Sequence, residues 1–402
     1  MKSTGIKSWV IGSVIVLAVG GASFWVVPNW PERVGWRWQQ FWAGTRRAVL
    51  QLPDTLPTPA VAAVATSAAT ATPPLTAPTA TPEAAAALPA YPDQMELTGF
   101  TQVWQKVNNC GPATLAMALS YWGWKGTQAN TANALKPDPN DRNVAPAEMA
   151  AYAQRVGLGA LVRQGGTVET AKRLVAAGFP VVVETSLVLP EQGWEGHYTL
   201  VTGYSDPHQQ FTTQDALRGP NFVQTYADLE RDWRAFNFTY IVLYAPTREA
   251  EVLNVLAGAG PAGDAQRAAE RARAETATLS GQDLAFAWFN LGSSLAASAD
   301  WPAAAQAYDQ ARQIGLPWRM LWYQPTPLET YFQAGRYQDV LDLADATLAQ
   351  ADNIEEVLYW RGRARLALGD RDGASADWQA AAALNRNFTA PAQALAELGA
   401  TP

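Results

Sequence analysis

The sequence predicts two folded units of different class, an α+β domain followed by an all-α helical repeat domain, behind one N-terminal transmembrane helix. Three observations carry this. Between 93 and 248, segments of helix length opened by Pro or Thr and closed by Gly are followed by short β-branched and aromatic runs. Beyond 284, alanine-rich helical sequence recurs at a fixed offset. At the start, Trp9 to Val27 is uncharged and close to the roughly twenty residues needed to span a bilayer.

Lys2 and Lys7 precede that run, Trp9 and Trp25 sit near its ends, and Trp30, Trp36 and Trp38 follow as an interfacial belt would have them. A cleaved signal peptide has a shorter apolar core and a small-x-small site, whereas 24–28 is bulky, so 1–28 reads as an uncleaved anchor. Arg33, Arg37, Arg46 and Arg47 lie beyond the span, and the distribution of positive charge leaves its orientation open. Residues 51–92 are almost wholly Ala, Thr and Pro, a composition that buries little and stays extended. The whole of 29–92 is therefore expected to be a juxtamembrane segment and disordered stalk. The expected location is the cell membrane, single-pass, with the bulk of the chain extracytoplasmic.

Within 93–248, helices are expected over 112–122, 146–156 and 167–177, ended by Gly123, Gly157 and Gly178. Strands are expected over 180–185, 197–204, 209–213 and 239–244. Helices first and strands later is an α+β order, and roughly 150 residues suffice for an independent core.

Cys110 is the chain's only cysteine, so it has no internal disulfide partner. It stands just before a Gly-Pro that opens a helix, where unpaired N–H groups and the helix dipole favour a thiolate. A free cysteine is also often a small buried hydrophobe. Nucleophilic use requires a base, and there are 2 histidines. His208 follows Pro207 in a polar turn and reads as a solvated loop residue. His197 begins a strand, and the run 210–215 reads as its hairpin partner, so Asp215 lands beside His197. Cysteine on a helix start, histidine on a strand and acid on the next strand is a nucleophile–base–orienter arrangement. Asp215 could instead cap the turn that follows it. Gln105 is placed to hold an oxyanion together with the Cys110 N–H.

The strings NNCGPATLAMALSYWGW, GFPVVVET, GHYTLVTGYSD and TTQDAL resemble the Peptidase_C39-like papain-fold cysteine peptidases, best known from the leader-cleaving domains of bacteriocin exporters. The resemblance spans roughly residues 93–246. It implies a papain-like fold and peptide-bond hydrolysis, with Cys110 as nucleophile, His197 as base, Asp215 as orienting acid and Gln105 as oxyanion-hole glutamine. Gln102 is a nearby competitor for the last role. The exporters also carry a transporter and a nucleotide-binding domain. This sequence has no GxxxxGK[ST] loop and one long apolar run, and it departs from them there.

Residues 249–283 read as a connector and leading helix, and 284–398 as repeats. Gly292, Asp300, Ala304, Tyr308 and Ala311 recur as Gly362, Asp370, Ala374, Trp378 and Ala381, all 70 residues later, with a diverged unit around Tyr331 between them. Half that offset resembles tetratricopeptide repeats. Trp318, Trp322 and Tyr323 read as repeat packing. A formal charge of −7 without a basic cluster argues against a nucleic-acid partner. Two histidines and one cysteine supply no metal-ligand pattern, and no cofactor is expected. The expected function is a membrane-anchored extracytoplasmic cysteine peptidase whose repeats recruit a protein or peptide. The alternatives are a non-catalytic papain-like binding domain on a repeat scaffold, or an amidase or acyl transferase on cell-wall peptides.

Overall fold

The computed structural model describes residues 52–59, 91–138, 141–189, 193–256 and 260–400. The expected membrane span and most of the expected stalk lie outside them. Among the described residues no helix is long and apolar enough to cross a membrane.

Seven strands among the described residues form one antiparallel sheet: β1 (Gln94–Glu96), β2 (Gly159–Arg163), β3 (Val181–Leu189), β4 (Gly193–Ser205), β5 (Gln210–Asp215), β6 (Gly219–Thr225) and β7 (Tyr240–Tyr244). The order is β2-β7-β3-β4-β5-β6, and β1 pairs with the far end of β4. The central strands are apolar on both faces, and period-2 alternation sorts their side chains. Val181, Val183, Tyr240 and Val242 join one core, while Val182, Ile241 and Leu243 join the other.

The second of those cores is covered by α1 (Cys110–Tyr121), α2 (Gln128–Leu135) and α3 (Pro146–Arg155). The first is covered by α4 (Val168–Ala176), α5 (Tyr226–Arg234) and α6 (Glu249–Val255). Pro112 lies in the first turn of α1, where its missing N–H is not needed, and Gly123 follows the end with φ +85°. Cys110 itself is the first helical residue, two positions earlier than the sequence suggested. Thr167 caps α4 by accepting the Thr170 N–H at 3.0 Å.

The rest of the chain is helical: α7 (Pro261–Thr276), α8 (Gly281–Ala296), α9 (Trp301–Ile314), α10 (Met320–Tyr323), α11 (Thr326–Gln333), α12 (Tyr337–Gln350), α13 (Glu355–Ala367), α14 (Arg371–Leu384) and α15 (Ala390–Ala400). The 70-residue offset has a physical meaning here. A Cβ at Gly292 would lie 2.8 Å from the Tyr308 ring, and one at Gly362 would lie 2.5 Å from Trp378 Nε1. In both places a glycine lets an aromatic of the next helix close over its backbone. Asp300 and Asp370 cap the helices that carry those aromatics.

Residues 52–59 correct the expected stalk. Leu56 is 4% exposed and belongs to the helical core, and Thr55 bridges Pro317. A single buried leucine between prolines gave too little apolar signal to separate this stretch from the tract that follows it.

Gly362→Ala would force a methyl group into the Trp378 ring. Overpacking of this kind costs about 1–3 kcal/mol, more than the alanine regains in helix propensity. Urea unfolding should show that loss.

Candidate active site

β4 and β5 set the geometry of the site. Thr199 is the cross-strand partner of Asp215, and His197 lies two residues back along β4, so its side chain falls diagonally beside Asp215 on the same face. His197 Nε2 and Asp215 Oδ2 are 2.9 Å apart. Both side chains are buried, at 3% and 0% exposure. The other oxygen of Asp215 accepts the N–H groups of Leu217 and Arg218, each at 2.7 Å. Asp215 thus caps the turn after β5 and also holds the imidazole, so the two roles weighed for it coexist.

Burial raises the Asp215 carboxyl, but the charge and hydrogen bond of His197 and the two turn N–H groups hold it well below the usual carboxylate range. Burial lowers the His197 imidazole, yet the charge and hydrogen bond of Asp215, followed by those of Cys110, push it up to about 10. With Asp215 ionised, Nε2 carries the proton shared with it. Nδ1 is then the ring nitrogen left unengaged by Asp215, and Cys110 lies near enough to act on the imidazole.

Cys110 is half-buried at the start of α1. The Asn108 before it adopts φ +54°, a left-handed turn that asparagine tolerates. Lys136 braces this turn: its Nζ donates to Asn108 O at 2.9 Å and to Asn109 Oδ1 at 3.3 Å. Gly111 is closely approached: a Cβ there would lie 3.3 Å from Val144 Cβ and 3.4 Å from the Tyr198 ring. Thr114 Oγ1 donates to Tyr198 O at 3.0 Å, tying α1 to the residue after His197. Beneath it, burial pushes the Glu184 carboxyl up to about 8. Protonated, it can donate to the Tyr198 oxygen 2.9 Å away while Tyr198 donates to Val144 O at 2.9 Å.

The two glutamines have different partners. The Gln105 backbone N–H donates to Ala216 O at 2.9 Å, which draws it alongside the end of β5. Its side chain has no hydrogen-bond partner among the described residues, and its Oε1 is buried. Gln102 Nε2 instead donates to Asp215 O at 2.9 Å. His208 lies in the β4–β5 turn, with Nδ1 2.9 Å from Ser205 Oγ, and is remote from the pair. No group of three or more His, Cys, Asp or Glu among the described residues is arranged to hold a metal ion.

Sequence reasoning missed Lys136, Tyr198 and Glu184, and also Arg319 and Tyr323 of the helical region. Arg319 pairs with Glu195 at 2.9 Å. Tyr323 packs on Gly196, where a Cβ would lie 2.9 Å from its ring. Lys136 sits in an ordinary polar turn in sequence, and no local pattern marks it.

Residues 91–241 match the model of the Peptidase_C39 like family. That stretch is a Peptidase_C39-like domain. No curated protein matches the chain. Solved structures with some likeness include a C39-like peptidase from Bacillus anthracis, at 17% identity over 37% of this chain and 96% of that one, with a TM-score of 0.31. A second is the peptidase domain of Streptococcus ComA, a bi-functional ABC transporter involved in quorum sensing, at 15% identity, 37% and 98% coverage and a TM-score of 0.29. A third is a double glycine motif protease from an AMS/PCAT transporter in complex with the leader peptide, at 16%, 38% and 98%, with 0.28.

The raised His197 predicts a pH-dependent contribution to stability. It is fully present below the unfolded-state value near 6.5 and fades as pH rises through about 10. The stability gap between the parent and His197→Gln should therefore narrow over that window, by on the order of 4 kcal/mol. Urea unfolding of both proteins at pH 6 and pH 10 measures it. The Asp215 contribution runs the other way and is lost as pH falls below the ordinary carboxylate range.

Proposed function

We propose that the chain is a cysteine peptidase acting through Cys110, His197 and Asp215, with Gln105 in the oxyanion hole. The observation that carries this reading is the buried His197–Asp215 pair at 2.9 Å, close enough to the Cys110 thiol at a helix start for that group to act on the imidazole. Titratable groups this fully desolvated beside a free cysteine are the pattern that marks a catalytic site.

In this reading Asp215 fixes the imidazole so that Nδ1 faces the sulfur. Its charge favours the imidazolium, so His197 is a ready acceptor for the Cys110 proton as the sulfur attacks. The sulfur attacks a peptide carbonyl carbon, and the carbonyl π electrons move onto its oxygen. The Cys110 N–H, unpaired because it opens a helix, and the partnerless Gln105 amide donate to that oxyanion. Collapse expels the amine, which takes the proton from His197 Nδ1 and leaves a thioester. Water, deprotonated by the now neutral imidazole, hydrolyses the thioester and returns the thiol.

Peptide is the substrate class that fits. The match of residues 91–241 to the Peptidase_C39 like family supports that class. We further propose that residues 9–27 anchor the chain in the cell membrane with the site outside. The helical region, as tetratricopeptide-like repeats, brings the protein or peptide to it.

Alkylation of Cys110 by iodoacetamide tests the chemistry without a known substrate. The parent should react at pH 6 at least about tenfold faster than free cysteine, because a neighbouring imidazole activates the Cys110 thiol, help that a free cysteine lacks. His197→Ala should abolish the excess. Equal rates for parent and His197→Ala would sink the reading. Once a cleaved peptide is found, Gln105→Ala should lower kcat about 10²–10³-fold while leaving the alkylation rate unchanged.

A further inference from the structure

Residues 52–59 lie extended against the helical region and are held chiefly by their backbone. The Leu56 N–H donates to Leu316 O at 2.9 Å, and the Trp318 N–H donates to Asp54 O at 3.2 Å. Arg312, buried and paired with Asp339 at 2.8 Å, donates Nε to Pro57 O at 2.9 Å and Nη2 to Thr58 O at 3.2 Å. Gln350 Nε2 donates to Pro53 O at 3.1 Å. Leu56 supplies the apolar anchor.

The loop paired with this segment leads straight to the sheet. One residue past Trp318, Arg319 Nη1 donates to Trp194 O at 3.3 Å and pairs with Glu195 at 2.9 Å. Tyr323 stands edge-on to Trp194 and to Phe236, with ring centroids 5.9 Å apart in each case. Its ring packs on the Gly196 backbone, where a Cβ would lie 2.9 Å away. Together Arg319 and Tyr323 engage 194, 195 and 196, the three residues that precede His197 on β4.

We propose that residues 52–59 are a strap that sets the position of His197, with Arg319 and Tyr323 as the positioning residues it holds in place. The proposal rests on the peptidase reading. By pairing with 316–318, the strap fixes the loop carrying both side chains, and these fix the start of β4 against sideways movement. Small displacements of a catalytic base cost large factors in rate, so a contact this far from the sulfur can govern it. A pull on the chain ahead of residue 52 is then felt at the imidazole.

The test uses the full chain and the pH profile of Cys110 alkylation. Leu56→Asp places a charge in the apolar seat and should release the strap. The expected result is a folded protein whose alkylation rate at neutral pH falls about tenfold and whose apparent pKa moves. A synthetic peptide of residues 52–59, added at millimolar concentration to stand in for the tethered segment, should restore both. Arg319→Gln loses the ion pair to Glu195, and should shift the profile in the same direction by less. A Leu56→Asp profile equal to the parent's, or a loss that the peptide does not restore, overturns the strap. Coincident profiles for the parent and His197→Ala would remove the peptidase reading itself, and the strap with it. If those two differ while Leu56→Asp matches the parent, the strap alone has failed.

Discussion

An imidazole and a carboxylate are buried side by side where β5 ends against β4, and the surrounding structure is organised to make that tolerable. A buried charge pair is favourable only if the remaining lone pairs and protons are satisfied. Here Asp215 accepts from His197 on one oxygen and from two turn N–H groups on the other. The Asp215 backbone carbonyl is taken by Gln102. The register of β4 on β5 has no freedom, because a slip of one residue would turn His197 to the other face. The same demand reaches α1. Its first turn comes close to Tyr198, and a Cβ at 111 would press on Val144 and meet the Tyr198 ring.

The helical region is part of this arrangement and does more than follow it in sequence. Trp194, Phe236, Phe286 and Tyr323 pack as one aromatic group drawn from both regions. On the cysteine side, Asn385 bridges Glu148 of α3 and Glu355 of α13, and Asn387 donates to Ala134 O. Asp141, buried near these groups, has its carboxyl pushed up to about 8 by burial and by the charge of Glu355. Lys136, which braces the turn before Cys110, is lowered by burial and supported by Asp141 and Cys110. Both arms of the site, the turn before the sulfur and the strand before the histidine, therefore lean on helices from the C-terminal half.

Much of the fold was legible because its signals are local. Gly and Pro at helix ends, Thr167 as a cap, and the apolar runs of β3, β4 and β7 act over a few residues. Strand β2 was missed because it is short and flanked by glycine, and its pairing partner β7 lies some eighty residues away. Helix α5 did carry a signal, a Thr225 cap three residues before Asp228, that went unread. The repeated Gly–aromatic spacing was visible as a number. That it records an aromatic ring closing over bare backbone could not be seen from spacing.

The sequence by itself determined which side chains could carry chemistry. With one cysteine and two histidines the candidates were few, and hairpin periodicity was enough to bring Asp215 to His197. Only the tertiary structure decided what surrounds them: the lysine under the turn before Cys110, the tyrosine and arginine at the residues before His197, and the leucine strap that braces them. Each of these acts by burial against residues far along the chain. Burial is a property of the packed whole, and no local pattern of residues encodes it.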